Sequence, residues 1–372
     1  MPTDIFISLV SPKLVEMIPD LLRLPHVHVD PAMLIIYYSI LYHGCGLGPT
    51  IADTDVIRKY FRTLFDDELS WRMYTYACEY AQVLNLQNLD ARDPGISASD
   101  AGEAKLDADR KGFWELIQMD TFFRLLFNRP PAITHNMSSW KVNLPWLSGS
   151  LPFGPSAVPT VSFLVGSRLT FIVSCFFQEL ETPGCDEASI RPKTEEKCLE
   201  ICELLAEYKI EDWIHRLLAD GNKGDYWYLG DIAMMAYTYV IFMLHRLAVL
   251  GSKAPHPVSS DTEVPDAPLA AEASRRLLRI VHAIMVDNLY AETMCCLLNM
   301  YRIYVAYACL MKSILRAADV RAHSDDIELL KMVGDAIVMA SGSERDFVPL
   351  VRAVQSLNAE VQTRVDEAGA ID

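Results

Sequence analysis

No Cys-x-x-Cys pair occurs anywhere in the 372 residues, although the chain carries nine cysteines. Zinc ribbons, fingers and dithiol redox motifs are excluded with it, because those sites need closely spaced thiolates. Cys198 and Cys202, four apart on a helical pattern with Cys185 upstream, are a poor substitute. Most of the thiols lie in apolar runs and read as small buried hydrophobes of a reducing compartment. Basic residues are also scarce: 33 Lys and Arg against 49 Asp and Glu leave a net charge of −16. A phosphate backbone is gripped by clustered cations, so direct nucleic-acid binding by this chain is not expected. The densest clusters, Arg275-Arg276-x-x-Arg279 and Arg345 with Arg352, read as solvated helix faces.

Other absences narrow the field. Residues 1–10 have neither a basic n-region nor a long apolar h-region, so no cleaved signal peptide is expected. Gly44-x-Gly46-x-Gly48 follows a helix rather than a strand and ends at Pro49, so it is no phosphate loop. His26-Val27-His28-Val29-Asp30 is an isolated His-x-His, better read as a surface turn ahead of Pro31 than as a metal site. His135-Asn136 and His282 have no nucleophile signature beside them, so no triad is assigned. Neither an internal repeat nor a convincing strand is visible. No cofactor, metal or catalytic residue is therefore expected.

What is present is helix. Hydrophobic residues make up 51% of the chain, more than one-sided helices require, so several helices should be buried all round. The runs 161–177, 232–250 and 295–311 are long enough to raise the question of membrane spans. Each contains charge: Arg168, His245 with Arg246, and Arg302, which favours buried helices of an all-α bundle. Further helices are expected over 53–84 (two), 194–219, 269–287, 290–317, 324–340 and 344–365. Residues 87–109 read as an acidic surface loop, 130–159 as a long irregular connection, and 251–268 as a mobile linker. The predicted architecture is an irregular all-α multi-helix domain, a single regulatory domain over 1–372.

The densest information lies in residues 107–130. Phe113, Leu116, Ile117, Met119, Phe123 and Leu126 recur at helical intervals, an acidic N-cap at Asp107 or Asp109 starts the helix, and Pro130 ends it. Asp120 interrupts this apolar pattern. An Asp120–Arg129 clasp would satisfy the carboxylate and fold the chain back after the helix; the alternative is a loose surface pair with Arg124.

The same stretch carries a resemblance. Arg110-Lys111-x-Phe113-Trp114, Asp120, Asn128-Arg129-Pro130-x-Ala132-Ile133 and Val142-Asn143-Leu144-Pro145 resemble the fungal-specific transcription factor domain, the middle homology region of Zn2Cys6 regulators. Upstream, Ser70-Trp71, Ala77, Ala81 and Leu84-Asn85-Leu86 are similar to a further helix of that family. Asn85 and Asn128 stand where the family has Gly, and Gln87 where it has His. The clear match spans residues 33–147. The resemblance implies signature positions at Trp71, Arg110, Phe113, Trp114, Asp120, Arg129, Pro130 and Pro145, structural or effector-related rather than catalytic. Trp140 and Trp146, flanking 142–145, are candidates to line an effector cavity.

The implied function is transcription regulation through contacts with regulatory proteins or a small effector. Neither nucleic acid nor membrane is an expected partner, and the oligomeric state stays open. The implied location is the nucleus, with the cytoplasm as alternative, and the implied targets are metabolic or secondary-metabolite genes. The zinc cluster of the family is not in this sequence. Two other readings stand beside this one: the fold reused as a small-molecule-processing enzyme of a secondary-metabolite pathway, or a truncated gene of a full Zn2Cys6 factor.

Overall fold

The structure is a computed structural model. It describes residues 17–21, 67–91, 100–133, 140–143, 157–182, 186–220, 226–251, 267–287, 302–317, 319–341 and 347–369, with single residues 23, 24, 26, 29 and 184. The fold is all-α: among the described residues every regular element is a helix and none is a strand. The chain divides into two compact units, Met1–Leu151 and Pro152–Asp372. The division falls inside the Pro- and Gly-rich connection of residues 130–159.

In the first unit, α1 (Asp67–Val83) runs into a 3-10 turn (Leu86–Asn88), and α2 (Asp100–Phe127) packs against both. Along α1 the residues Tyr74, Cys78 and Ala81, four and three apart, are buried and Trp71 is half-buried beside them. Asn85 stops the helix in the left-handed conformation (φ 58°), which Asn tolerates better than other residues with a Cβ. Helix α2 begins at Asp100, well before the acidic cap expected at Asp107 or Asp109. In its first turns Ala101, Glu103, Ala104 and Lys105 are good helix formers that outweigh Gly102 and that the acidic composition of the loop obscured. Phe113, Ile117 and Phe123 are buried as predicted, but Met119 is 43% exposed. Trp114, Phe122 and Leu125 are also buried, so the covered face is wider than one stripe.

The second unit is built around α6 (Tyr226–Gly251), which is apolar on every side. It touches α3 (Val158–Leu180), α4 (Glu187–Glu207), α5 (Ile210–Ala219), α7 (Pro268–Asp287) and α8 (Arg302–Arg316). A 3-10 turn (Val320–His323), α9 (Ser324–Ser341) and α10 (Val348–Gly369) complete the unit, with α9 against α7 and α10. Enclosure explains the hydrophobicity of α6: Ala233, Ala236, Tyr237, Val240 and Met243 are all fully buried. Its Thr238 hydroxyl donates back to the Met234 carbonyl at 2.7 Å, satisfying a polar atom inside the core.

Residues 194–219 form two helices rather than one. Helix α4 starts at Glu187 on a capping box between Asp186 and Ser189, and it accommodates Pro192 within its second turn. It ends ahead of Lys209, whose φ of 50° turns the chain into α5. Thr160–Leu180 is the one helix among the described residues long and apolar enough to cross a membrane. Most of that window is buried inside the unit, and Arg168 reaches outward to Glu207 at 2.9 Å. Residues 290–301 of the helix expected over 290–317 and most of the linker 251–268 lie outside the described residues, as do the Gly44–Gly48 run, His28, His135, Pro145 and Trp146, while the rest of that helix is α8.

Candidate functional site

Signature side chains converge in the first unit at two aspartates. The first is Asp90, two residues beyond the 3-10 turn. The buried Arg110 of α2 donates to it through Nε, 3.1 Å from each carboxylate oxygen, and through Nη2. The Asn143 amide donates to Oδ2 at 2.6 Å. Main-chain bonds frame this joint: the Asp90 amide donates to the Lys141 carbonyl at 2.8 Å, and the Lys141 amide to the Gln87 carbonyl at 2.9 Å. The Trp114 indole N–H then donates to the Asn143 carbonyl at 3.1 Å. Two helix residues and one loop acid therefore hold residues 141–143 in place. Burial raises the Asp90 pKa, but the Arg110 fork and the Asn143 amide outweigh it and hold the carboxyl below its ordinary value.

The second aspartate is Asp120, 6% exposed. Its Oδ1 accepts the Ala132 amide at 2.8 Å and lies 3.4 Å from the Tyr74 hydroxyl, which also donates to the Leu116 carbonyl at 2.9 Å. The Ile133 amide contributes as well. The predicted clasp exists in function but not in chemistry. Asp120 folds the chain back through main-chain amides, not through Arg129, whose guanidinium carbon sits 5.8 Å from the Trp71 ring centroid. The fold-back itself explains the difference: once Asn128 turns left-handed (φ 53°), the amides of residues 132 and 133 are delivered to the helix side, where a short acid reaches them first. On the far side of this loop, Gln82 of α1 donates to the Ala132 carbonyl at 3.3 Å. Burial is the dominant influence on Asp120 and raises its pKa, against the lowering effects of Ala132, Arg124, Tyr74 and Ile133.

Aromatic rings fill the space between these joints. Trp71 and Tyr74 both pack on Phe123 with centroids 5.3 Å apart. Phe113 and Trp114 meet Trp140 edge-on at 5.4 and 6.3 Å, so Trp140 packs on α2. Pro130 is exposed at the bend. Asp90, Tyr74, Gln82 and Asn143 were not singled out as site residues from sequence. The buried Arg110 was the available signal, since a guanidinium on a covered helix face requires an acid, and residues 87–109 hold several.

Neither joint resembles a catalytic centre, because each carboxylate is already occupied by donors. Burial pushes the Cys78 thiol up to about 11 and Cys198 up to about 12, and raises Cys202 and Cys309, the reverse of an activated nucleophile. Among the described residues no group of three or more His, Cys, Asp or Glu side chains is placed to hold a metal ion.

The second unit has a polar chain of its own. Arg275 donates to Asp326 through Nε at 2.6 Å and Nη2 at 3.1 Å, and to Glu272 at 3.1 Å. Arg276 donates to Glu272 at 2.9 Å and lies 3.6 Å from Glu211, which accepts the Tyr237 hydroxyl. His323 Nδ1 is 3.0 Å from Asp326. Arg275 and Arg276 are thus half-buried bridges between α5, α7 and α9 rather than the solvated face expected; only Arg279 of that cluster is exposed. No family model, curated protein or solved structure matches the chain.

Proposed function

We propose that this chain is a transcription-regulator-like protein that works through its helical regulatory domain, by contact with other regulatory proteins or with a small effector. One observation carries the reading. Asn85 and Asn128, which stand at two family glycine positions, adopt φ of 58° and 53°, the conformation for which Gly is the usual residue and Asn the common substitute. The joints support it as well, since Trp114 and Asp120 bond directly to the loop segments that complete the motif and Arg110 reaches residue 143 through Asp90. With a net charge of −16 and no Cys-x-x-Cys, the chain would reach its genes through a partner rather than through DNA. The targets in this reading are metabolic or secondary-metabolite genes, and the place of action is the nucleus.

A reporter in a fungal host tests it. Fused to a heterologous DNA-binding domain, the chain should change reporter output several-fold relative to that domain alone. Output indistinguishable from the DNA-binding domain across a panel of carbon and nitrogen sources would remove the proposal.

A further inference from the structure

Helix α9 carries a glycine in its middle turns, where alanine would make a stronger helix. Close approach by another helix explains it. A Cβ built on Gly334 would lie 2.6 Å from Asn358 Nδ2 and 3.1 Å from Val354 Cγ1, both of α10. It would also lie 3.4 Å from the Tyr307 hydroxyl of α8. The glycine therefore opens a notch between α8 and α9, and two side chains of the last helix fill it.

The rest of α10 is lightly held. Among its described residues only Val354 and Val361 are buried, and Asn358 falls between them, so its seam is a single stripe at i, i+4 and i+7. Its other hydrogen bonds stay within the helix: Gln362 to Asp366, Thr363 to the Ala359 carbonyl, and Arg364 to Glu367. Among the described residues no ion pair joins α10 to another element, whereas α7 is bridged to α9 through Arg275 and Asp326. The one polar tie is the Tyr307 hydroxyl, which donates to Asn358 Oδ1 and has the Leu330 carbonyl, 3.1 Å away, as a second acceptor. When α10 lifts off, Tyr307 keeps a partner and Asn358 gains water, so no buried donor is stranded. The contact is thus built to open without unfolding what lies beneath it.

We propose that α10 is a detachable strap, an autoinhibitory helix that fills the Gly334 notch and yields it to an amphipathic helix of a partner protein. That helix carries the pattern α10 itself shows: β-branched, amide and β-branched side chains at i, i+4 and i+7. The notch fixes the register, because only a helix with its amide at the Tyr307 hydroxyl restores the hydrogen bond. Being part of the same chain, α10 meets the notch at high effective concentration and keeps it shut until it is outcompeted or loosened.

A fluorescent peptide of residues 347–369, standing in for the partner helix and titrated with the intact chain, tests this by anisotropy. It should bind the Val354→Ser/Val361→Ser chain, whose own strap is loosened over an unaltered notch, about tenfold or more tighter than the wild type. Gly334→Leu in that loosened chain should abolish binding, because leucine fills the notch yet remains a good helix former. Circular dichroism checks that each variant stays folded. Hydrogen exchange on the single Gly334→Leu variant gives a reading that needs no peptide: its α10 amides should exchange about tenfold or more faster than in the wild type, while those of α8 and α9 keep their rates. Equal peptide binding to wild type and loosened chain, no binding to the loosened chain, or α8 and α9 accelerating together with α10 would each overturn the proposal. Concentration-dependent dimers of the wild type in sedimentation velocity, lost in Gly334→Leu, would give the notch to a second copy's α10 and also overturn it.

Discussion

Asp90 and Asp120 show how two aspartates in one unit take opposite roles in pH dependence. Asp90 is held below its ordinary pKa, so its contribution to stability is present above about pH 4 and is lost as pH falls through its lower folded value. Asp120 is raised, chiefly by burial, so the folded state holds its proton more tightly than the unfolded chain does. Its contribution therefore declines as pH rises from about 4 through its folded value. Urea midpoints measured from pH 2.5 to 7 should separate them. Asp90→Asn should lose stability at pH 7 and converge with the wild type at the acid end, whereas Asp120→Asn should compare most favourably with the wild type at neutral pH and lose that advantage on acidification. Parallel curves for both variants would contradict these assignments.

The same residues allow a test of pairing. Asp90→Asn and Arg110→Met should each cost on the order of 3 kcal/mol, because either leaves a largely buried charge without its partner. Their double mutant should show a coupling above about 1 kcal/mol. Asp120 and Arg129 form the contrasting pair. Asp120→Ala should cost about 2 kcal/mol by stranding the Ala132 and Ile133 amides. Its coupling to Arg129→Met should stay under about 0.5 kcal/mol, since Asp120 is bonded to main chain and not to that guanidinium. A strong Asp120–Arg129 coupling would restore the salt-bridge clasp.

At the scale of elements, left-handed residues mark the helix ends. Asn128→Ala should cost about 1 kcal/mol, while Asn128→Gly should change stability by less than about 0.5 kcal/mol. Equal effects of Ala and Gly in thermal unfolding would count against this end geometry. These positions also show what could be read from sequence. Asn85 and the Asn-Arg-Pro run announce their stops, and Gly251 and Pro268 bracket the linker, so α1, α6 and α7 were placed closely. The break between α4 and α5 has no such marker: Tyr208 and Lys209 are ordinary residues, and the turn rests on a positive φ at a lysine. Pro192 does not stop α4 from beginning before residue 194, because a proline near a helix start removes few main-chain bonds. The joints were half legible. Asp120 stands out as a polar interruption, but a main-chain amide leaves no trace in side-chain chemistry, so the sequence points to a cation in its place.

For the whole molecule, charge and burial set the limits. A net charge of −16 predicts that a pool of random duplexes at moderate salt yields no enriched motif with this chain alone. Enrichment of a defined half-site would contradict a regulator that relies on partners. Burial is deepest around α6, so its amides should open only with global unfolding. Asp90 and Asp120 fasten the loop segments 141–143 and 132–133 to α2 as firm joints of the first unit. A hydrogen-exchange map of the intact chain tests that claim most directly. The Ala132 and Asn143 amides should be protected although both lie outside helices, with Asp120→Ala releasing the first and Asp90→Ala the second while the α6 amides remain slow. Exchange of both amides at the rate of an unstructured peptide in the wild-type protein would contradict it.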